Sequence, residues 1–275
     1  MVEGTVAVVN WPLLTDDLIE QLVRSEMAYM GSILEAFARY DEASMEWFGH
    51  VLVFASRTTE HRAWNRALGL RAGDEELVDE VLTWADSLQA PTRLEVVPAL
   101  VDEAFLAHMA DRGLVVTGFR SAVYGIPRSV PQALPQGVEV EELADEQLEF
   151  FAQVWAETVP TNDPARTRRL LPVMAEAYAA PEWRRFLARV DGSPAAFGVL
   201  HVADRVGSLA GAATTPDHRR RGAQSALIAH RMAAASEADC EIVVSQPPIG
   251  SSSQRNLERA GLRLAYQSLL WRLPT

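Results

Sequence analysis

Thr214-Thr215-Pro216-Asp217-His218-Arg219-Arg220-Arg221-Gly222-Ala223-Gln224-Ser225-Ala226-Leu227 runs from the end of a strand through a proline turn, three arginines and a glycine into a helix. A strand that delivers a loop to a helix N-terminus builds an anion site. The first helical N–H groups lack intrahelical partners, the dipole is positive there, and guanidinium groups stand beside it. Gly222 lets the backbone come close to a phosphate, which a side chain would obstruct. The preceding strand, Ser208-Leu209-Ala210-Gly211-Ala212-Ala213, is small on its surface, so an extended ligand can lie alongside it and pair with its backbone. Three arginines before a glycine also suit a solvated basic cluster or a nucleic-acid patch, and the small-residue strand favours the anion site.

The chain has 275 residues, 48% hydrophobic and 23% charged, enough to bury a real core and about two domains in length. The 25 basic residues are all Arg, and with 37 acidic residues the net charge is −12. Without lysine there is no Walker A phosphate clamp, pyridoxal Schiff base or lysine nucleophile. An acidic chain repels a phosphate backbone, so no nucleic-acid partner is expected. Residues 1–130 carry 10 Arg against 20 acids, and residues 131–275 carry 15 against 17, which puts an anion in the second half. The lone Cys240, within Asp239-Cys240-Glu241-Ile242-Val243-Val244, reads as a strand residue, and a multi-cysteine zinc site is excluded. No metal is expected. No apolar run reaches the ~20 residues of a membrane span, and Met1-Val2-Glu3 opens no secretory signal, so no membrane association and a cytoplasmic location are expected.

Working outward, Tyr124–Gly137 gathers Gly125, Pro127, Pro131, Pro135 and Gly137 and reads as a linker. The resulting division is 1–126, a linker at 127–136, and 137–275. Before it, a helix opens at Thr15-Asp16-Asp17, with Leu18, Ile19, Leu22, Val23, Met27, Met30, Ile33, Leu34 and Phe37 at helical spacing. Then follow a strand at 50–55, a helix at 75–88, a strand at 93–97, a helix at 101–111 and a strand at 114–124. After the linker come a strand at 138–141, helices from Asp145 and at 167–178, and strands at 185–190, 195–202 and 206–214. A helix at 222–237, a strand at 240–245, a short helix at 252–260 and strands at 262–266 and 268–272 close the chain. The class is α+β, with a mixed and mostly antiparallel sheet and flanking helices. Thr92–Val97 followed by a helix and Gly113-Leu114 resembles Asp239–Val244 followed by a helix and Gly261-Leu262, the glycines lying 148 residues apart. A duplication accounts for this, although any strand, helix, Gly-Leu, strand unit looks alike.

Arg219-Arg220-Arg221-Gly222-Ala223-Gln224 resembles the pyrophosphate loop of the GNAT acetyltransferase family, which runs Arg or Gln, two variable residues, Gly, one variable residue, then Gly or Ala. Gln224 replaces the final small residue, which weakens one close contact and leaves the amides available. Ser253-Gln254-Arg255-Asn256-Leu257-Glu258-Arg259-Ala260-Gly261-Leu262 is similar to the family's later helix and Gly-Phe turn. Together the matches cover about 137–275. The resemblance implies acetyl-CoA as cosubstrate in a cleft where the strands at 206–214 and 240–245 splay apart. Ala212, Ala213 and Thr214 would pair with pantetheine, Arg219, Arg220, Arg221, Gly222, Ala223 and Gln224 would meet the pyrophosphate, and Asn256 and Arg259 would contact the cofactor. The activity implied is direct acetyl transfer to a primary amine of a small molecule or amino-bearing metabolite. A non-catalytic acyl-CoA sensor or interaction protein is the alternative.

The sequence departs from the family at Leu257, where many members carry a tyrosine acid. Tyr266 either reaches the cleft as a substitute or packs as a strand residue. His201, at a strand end, is the histidine with plausible geometry for a base. Glu157 and Asp163 are candidates to attract a cationic amine, or are solvated charges. Asn65–Gly73 occupies the corresponding place in the first half without a phosphate-loop pattern, which suggests a degenerate GNAT-like copy. It would pack like the second subunit of a monomeric pseudo-dimer, and a homodimer is also possible on sequence alone.

Overall fold

Thr15 starts the first helix by accepting the N–H of Leu18 on its hydroxyl at 3.3 Å, and Asp16 and Asp17 complement the dipole in the first turn. In the computed structural model, which describes residues 11–40, 43–56, 65–129, 134–158 and 164–274, this is α1 (Asp16–Tyr40). It is followed by β1 (Ala43–Phe48), β2 (Val51–Ser56), β3 (Arg66–Leu70), α2 (Glu75–Ser87), β4 (Arg93–Val96), α3 (Glu103–Asp111) and β5 (Val115–Gly125). The rest runs β6 (Val138–Leu143), α4 (Leu148–Thr158), α5 (Pro164–Ala177), β7 (Trp183–Val190), β8 (Ser193–Ala203), β9 (Val206–Ser208), β10 (Ala212–Thr214), α6 (Ala223–Glu237), β11 (Ile242–Ser245), α7 (Ser252–Arg259) and β12 (Arg263–Arg272).

The strands form one sheet in the order β1-β2-β3-β4-β12-β5-β11-β9-β8-β7-β6, with β10 on β8. Alternation along the strands separates its two faces. Leu52, Phe54 and Val244 join a core with α1, α4 and α5, while Val51 and Val53 pack with α2 and α3, and Val243 packs with α6. Helix α1 therefore lies on a core that reaches into both halves of the chain.

The sheet does not break at the proline-rich segment. β5 pairs antiparallel with β11 and with β12, and β12 pairs in turn with β4, so each half's last strand is inserted into the sheet of the other half. Arg120 and Ser268, 148 residues apart like the two glycines, stand directly opposite each other in the β5–β12 ladder.

Four expectations about elements change. β1 was not expected, and β3 falls in a stretch taken to lie between strand and helix. The strand expected at 206–214 is two strands interrupted at 209–211, and the two strands expected at the C-terminus are one, β12, with an irregularity between Leu264 and Tyr266. No helix among the described residues is long and apolar enough to cross a membrane.

Candidate functional site

Parallel pairing of β9 with β11 runs Val206 to Ile242, Gly207 to Val243 and Ser208 to Val244 and ends at a 2.8 Å bond from the N–H of Leu209 to the carbonyl of Val244. Beyond it the strands part. The chain after Ser208 slips by one residue against β8, from His201 opposite Ser208 to Gly198 opposite Ala212, and β10 pairs with β8 alone. On the other side, Pro247 and Pro248 follow β11 and have no N–H with which to continue the ladder. The result is a cavity of about 190 Å³, with Ala210, Gly211 and Ala212 on one wall and Ser245, Gln246 and Pro247 on the other. Gln224 and Asn256 line one end and Tyr29 of α1 also contributes.

The loop after β10 leads into α6. Thr215 is anchored to the carbonyl of Ala195 by its N–H at 2.9 Å, and its hydroxyl is 2.8 Å from His218 Nδ1. Gly222 occupies the N-cap position at φ +89°, and a Cβ there would lie 2.5 Å from Pro135 Cγ. Gln224 donates to Thr214 Oγ1 at 2.9 Å and so ties the helix back to the strand. The first turn of α6 contains no acidic residue. Arg219 and Arg220 are exposed without a carboxylate partner among the described residues, and Arg221 is paired with Asp191.

Asn256, on α7, accepts from Arg259 Nη1 at 2.8 Å and borders both the splay and a second cavity of about 310 Å³. That second cavity lies between α6 and α7 and carries Arg128, Ser225 and Arg259 on its walls. Of the residues expected at the cofactor, Ala212, Gln224 and Asn256 line the splay and Arg259 lines the second cavity. Ala213 and Thr214 continue β10, and Ala223 is buried at the start of α6.

The two expected catalytic side chains are absent from the wall of the splay. His201 is 3% exposed, with its ring 4.7 Å from Trp183 and 6.4 Å from Tyr29. Burial, opposed by Glu182, pushes its pKa down to about 4, so it is neutral at pH 7. Tyr266 is buried in β12 with its hydroxyl unpartnered, and burial pushes its pKa well above that of an ordinary phenol. Glu157 is exposed on α4, and Asp163 lies outside the described residues.

Three residues on the wall of the splay were not anticipated. Tyr29 donates its hydroxyl to Gln246 Oε1 at 3.2 Å, and its proton is held firmly by burial and by the nearby Glu26 carboxylate. Gln246 follows β11, and its Nε2 is buried without a partner. Arg231, in the middle of α6, is 2% exposed. The sequence carried a signal for Arg231, because it stands one turn after Leu227 and one turn before Ala234 and Ala235 on the apolar stripe of the helix.

The corresponding place in the first half is closed. β3 and β4 pair to their ends, Leu70 opposite Val96, and the N–H of Ala72 reaches the carbonyl of Leu100 at 2.9 Å. Asp74 stands at the N-terminus of α2, where its carboxylate accepts the N–H of Arg71 at 2.8 Å, and Glu75 and Glu76 follow. Three carboxylates at that end repel an anion.

Residues 132–244 match the model of the acetyltransferase (GNAT) domain. Among curated proteins no sequence matches the chain. Among solved structures the chain is similar to a GCN5-related N-acetyltransferase from Kribbella flavida, at 17% identity and TM-score 0.61, over 92% of this chain and 96% of that one. A GCN5-related N-acetyltransferase from Sphaerobacter thermophilus shares 15% identity at TM-score 0.58, over 95% and 93% of the two chains. A tandem GNAT protein from the clavulanic acid biosynthesis pathway shares 13% identity at TM-score 0.58, over 94% and 96%. These likenesses establish the fold over nearly the whole length of the chain.

Proposed function

We propose that the chain, whose residues 132–244 match the acetyltransferase (GNAT) domain, is an acetyl-CoA-dependent N-acetyltransferase acting on a primary amine of a small molecule. The observation that carries this is the splay between β10 and the segment after β11, a cavity that reaches Gln224 beside the acid-free N-terminus of α6. The residues fit the cosubstrate: a glycine at positive φ opens the helix, two exposed arginines stand beside it, and a strand with small side chains borders the cavity.

Acetyl-CoA supplies an acyl group activated as a thioester. The N–H groups at the start of α6, with Arg219 and Arg220, hold the diphosphate. Backbone around Ala212 pairs with the pantetheine amides, and Asn256 fixes the same arm from α7. The N–H of Gly211, which has no partner among the described residues, is available to polarise the thioester oxygen. Tyr29 and the unpaired Nε2 of Gln246 meet the acceptor side, where they orient an amine rather than deprotonate it, since Tyr29 keeps its proton at neutral pH.

The closed, carboxylate-bearing first half is read as a degenerate copy of the same unit, with residues 1–126 and 137–275 as its two copies and 127–136 joining them. The exchange of β5 and β12 supports that duplication, and a cytoplasmic monomer is the form proposed.

Calorimetric titration with acetyl-CoA tests the cofactor. Ser225→Asp places a carboxylate in the first turn of α6, which suits the helix dipole and repels a phosphate, so it separates ligand loss from unfolding. Micromolar binding by the wild type, weakened at least about tenfold by Ser225→Asp and by Arg219→Glu, is the expected result. Absence of binding by the wild type overturns the proposal. Binding without turnover on a panel of amines leaves the acyl-CoA sensor, the reading that Leu257 in place of a tyrosine favours.

A further inference from the structure

Arg231 is 2% exposed, and among the described residues no carboxylate lies within 4 Å of its guanidinium. Its hydrogen-bond partners are carbonyls: Leu227 in its own helix at 3.2 Å, Val199 in β8 at 3.1 Å and Ala210 in the slipped segment at 3.2 Å. A buried cation without a counter-charge is costly to keep. The fold also makes room for it, since a Cβ on Gly198 would come within 3.0 Å of both Cζ and Nε of Arg231.

Its position bears on the cleft. Arg231 lies seven residues beyond Gln224, about two helical turns or ~10 Å along α6 from the phosphate end, and it shares the wall of the splay with Ala210 and Ile228. A ligand anchored at the start of α6 and extended along Ala212 reaches the guanidinium only after its pantetheine arm. Two roles converge there. The guanidinium bridges the carbonyls of Val199 and Ala210 and so holds the one-residue slip that opens the cleft. It also brings a positive charge behind the wall in a dry environment, where a charge acts more strongly than in water.

We propose that Arg231 is the electrostatic positioning residue of acyl transfer, holding the slipped segment in place and stabilising the coenzyme A thiolate as it leaves. In the reaction the amine nitrogen forms a bond to the acyl carbon, the carbon–sulfur bond breaks with its electron pair going to sulfur, and the proton lost by the amine passes to solvent. With the thiolate stabilised, no acid is needed at the place taken by Leu257. The proposal rests on the reading of the splay as an acyl-CoA site.

The test is a pH titration of coenzyme A bound to the full-length protein, followed by the ultraviolet absorbance of the thiolate. Coenzyme A titrated alone in the same buffer gives the free-thiol reference. Bound to the wild type it is expected to become at least tenfold more acidic, and bound to Arg231→Gln it is expected to return toward the free value. Desulfo-coenzyme A, which lacks the thiol, reads how far each variant disturbs the cleft itself, whose slipped segment Arg231 holds. A purely structural arginine would weaken desulfo-coenzyme A and leave the thiol pKa of bound coenzyme A where it stands in the wild type. Should Arg231→Gln fail to fold by circular dichroism, Gly198→Ala, which keeps the guanidinium and displaces it, carries the same readout. Arg231→Lys is expected to lower kcat more than KM for acetyl-CoA. Coenzyme A that binds with the same thiol pKa in wild type and variant overturns this proposal alone. Coenzyme A that does not bind the wild type overturns the acyl-CoA site and this proposal with it.

Discussion

At Gly222 two independent requirements meet, a positive φ that favours glycine and a Cβ position already filled by Pro135. Substituting it disturbs both the loop and the segment packed on it, so Gly222→Ala is expected to cost on the order of 1–3 kcal/mol in urea unfolding. Loss of ligand in such a variant says little about phosphate contacts. The role of this glycine was half legible in sequence: the turn into the helix was apparent from Arg-Gly-Ala, whereas the contact with Pro135 arises from a residue 87 positions away. His201 shows the opposite case, where a histidine at a strand end looked like a base and is instead walled by Trp183 and Tyr29. Burial lowers its pKa to about 4, below the ordinary value near 6.5 of the unfolded chain. The unfolded state therefore binds more protons between these values, and the stability that His201 contributes is complete above pH 6.5 and is lost as pH falls toward 4. In His201→Gln that part of the slope is expected to disappear, a difference of up to about 3 kcal/mol between pH 7 and pH 4 in urea titrations.

Comparison of α2 with α6 shows how one kind of element is made hostile or open to an anion at its N-terminus. Both follow a strand of the sheet, and the first turn of α6 is free of acid where α2 begins with Asp74, Glu75 and Glu76. Around α1, β3, β4, β5 and β12 the charge has been taken inward. Arg66 pairs with Glu95 and lies 3.2 Å from Glu26, Arg120 lies 2.8 Å from both carboxylates, and Ser268 donates to Glu95 at 2.6 Å. Burial acts to raise the pKa of Glu95, and the guanidiniums of Arg66 and Arg120 outweigh it and hold the carboxyl well below the usual range. Glu95→Ala removes the carboxylate shared by both guanidiniums and is expected to lower stability by about 3–5 kcal/mol in urea unfolding, with folding as the condition for reading any effect on ligand. This cluster explains why β3 escaped the sequence: Arg66-Ala67-Leu68-Gly69-Leu70 has neither alternation nor β-branched residues, and the partners of Arg66 stand 29 and 40 residues away. Long amphipathic helices such as α1 carry their own evidence in spacing, whereas the interruption at 209–211 shows only against the neighbouring strand, in the one-residue slip along β8.

At the scale of the whole molecule, the proline-rich segment between β5 and β6 looks like a boundary in sequence, yet the sheet passes straight across it through β11, β5, β12 and β4. Local patterning cannot disclose this, because strand exchange leaves the hydrophobic period of β5 and β12 unchanged and alters only which neighbours they meet. Its consequence is mutual dependence. A chain of residues 134–275 alone would leave β11 without β5 and would strip β12 of both neighbours, exposing long unpaired edges of the kind that drive aggregation. Residues 1–129 alone would leave β4 without β12 and β5 without either partner. Expressed separately, each piece is therefore expected to be insoluble or self-associated. Co-expressed, with an affinity tag on one piece only, the two are expected to purify together in equal amounts and to melt as one cooperative unit near the temperature of the intact chain. Recovery of residues 134–275 as a folded monomer that melts cooperatively by itself would show that the strand exchange is dispensable, and the first half would then be an appendage of the cleft and not a part of its support.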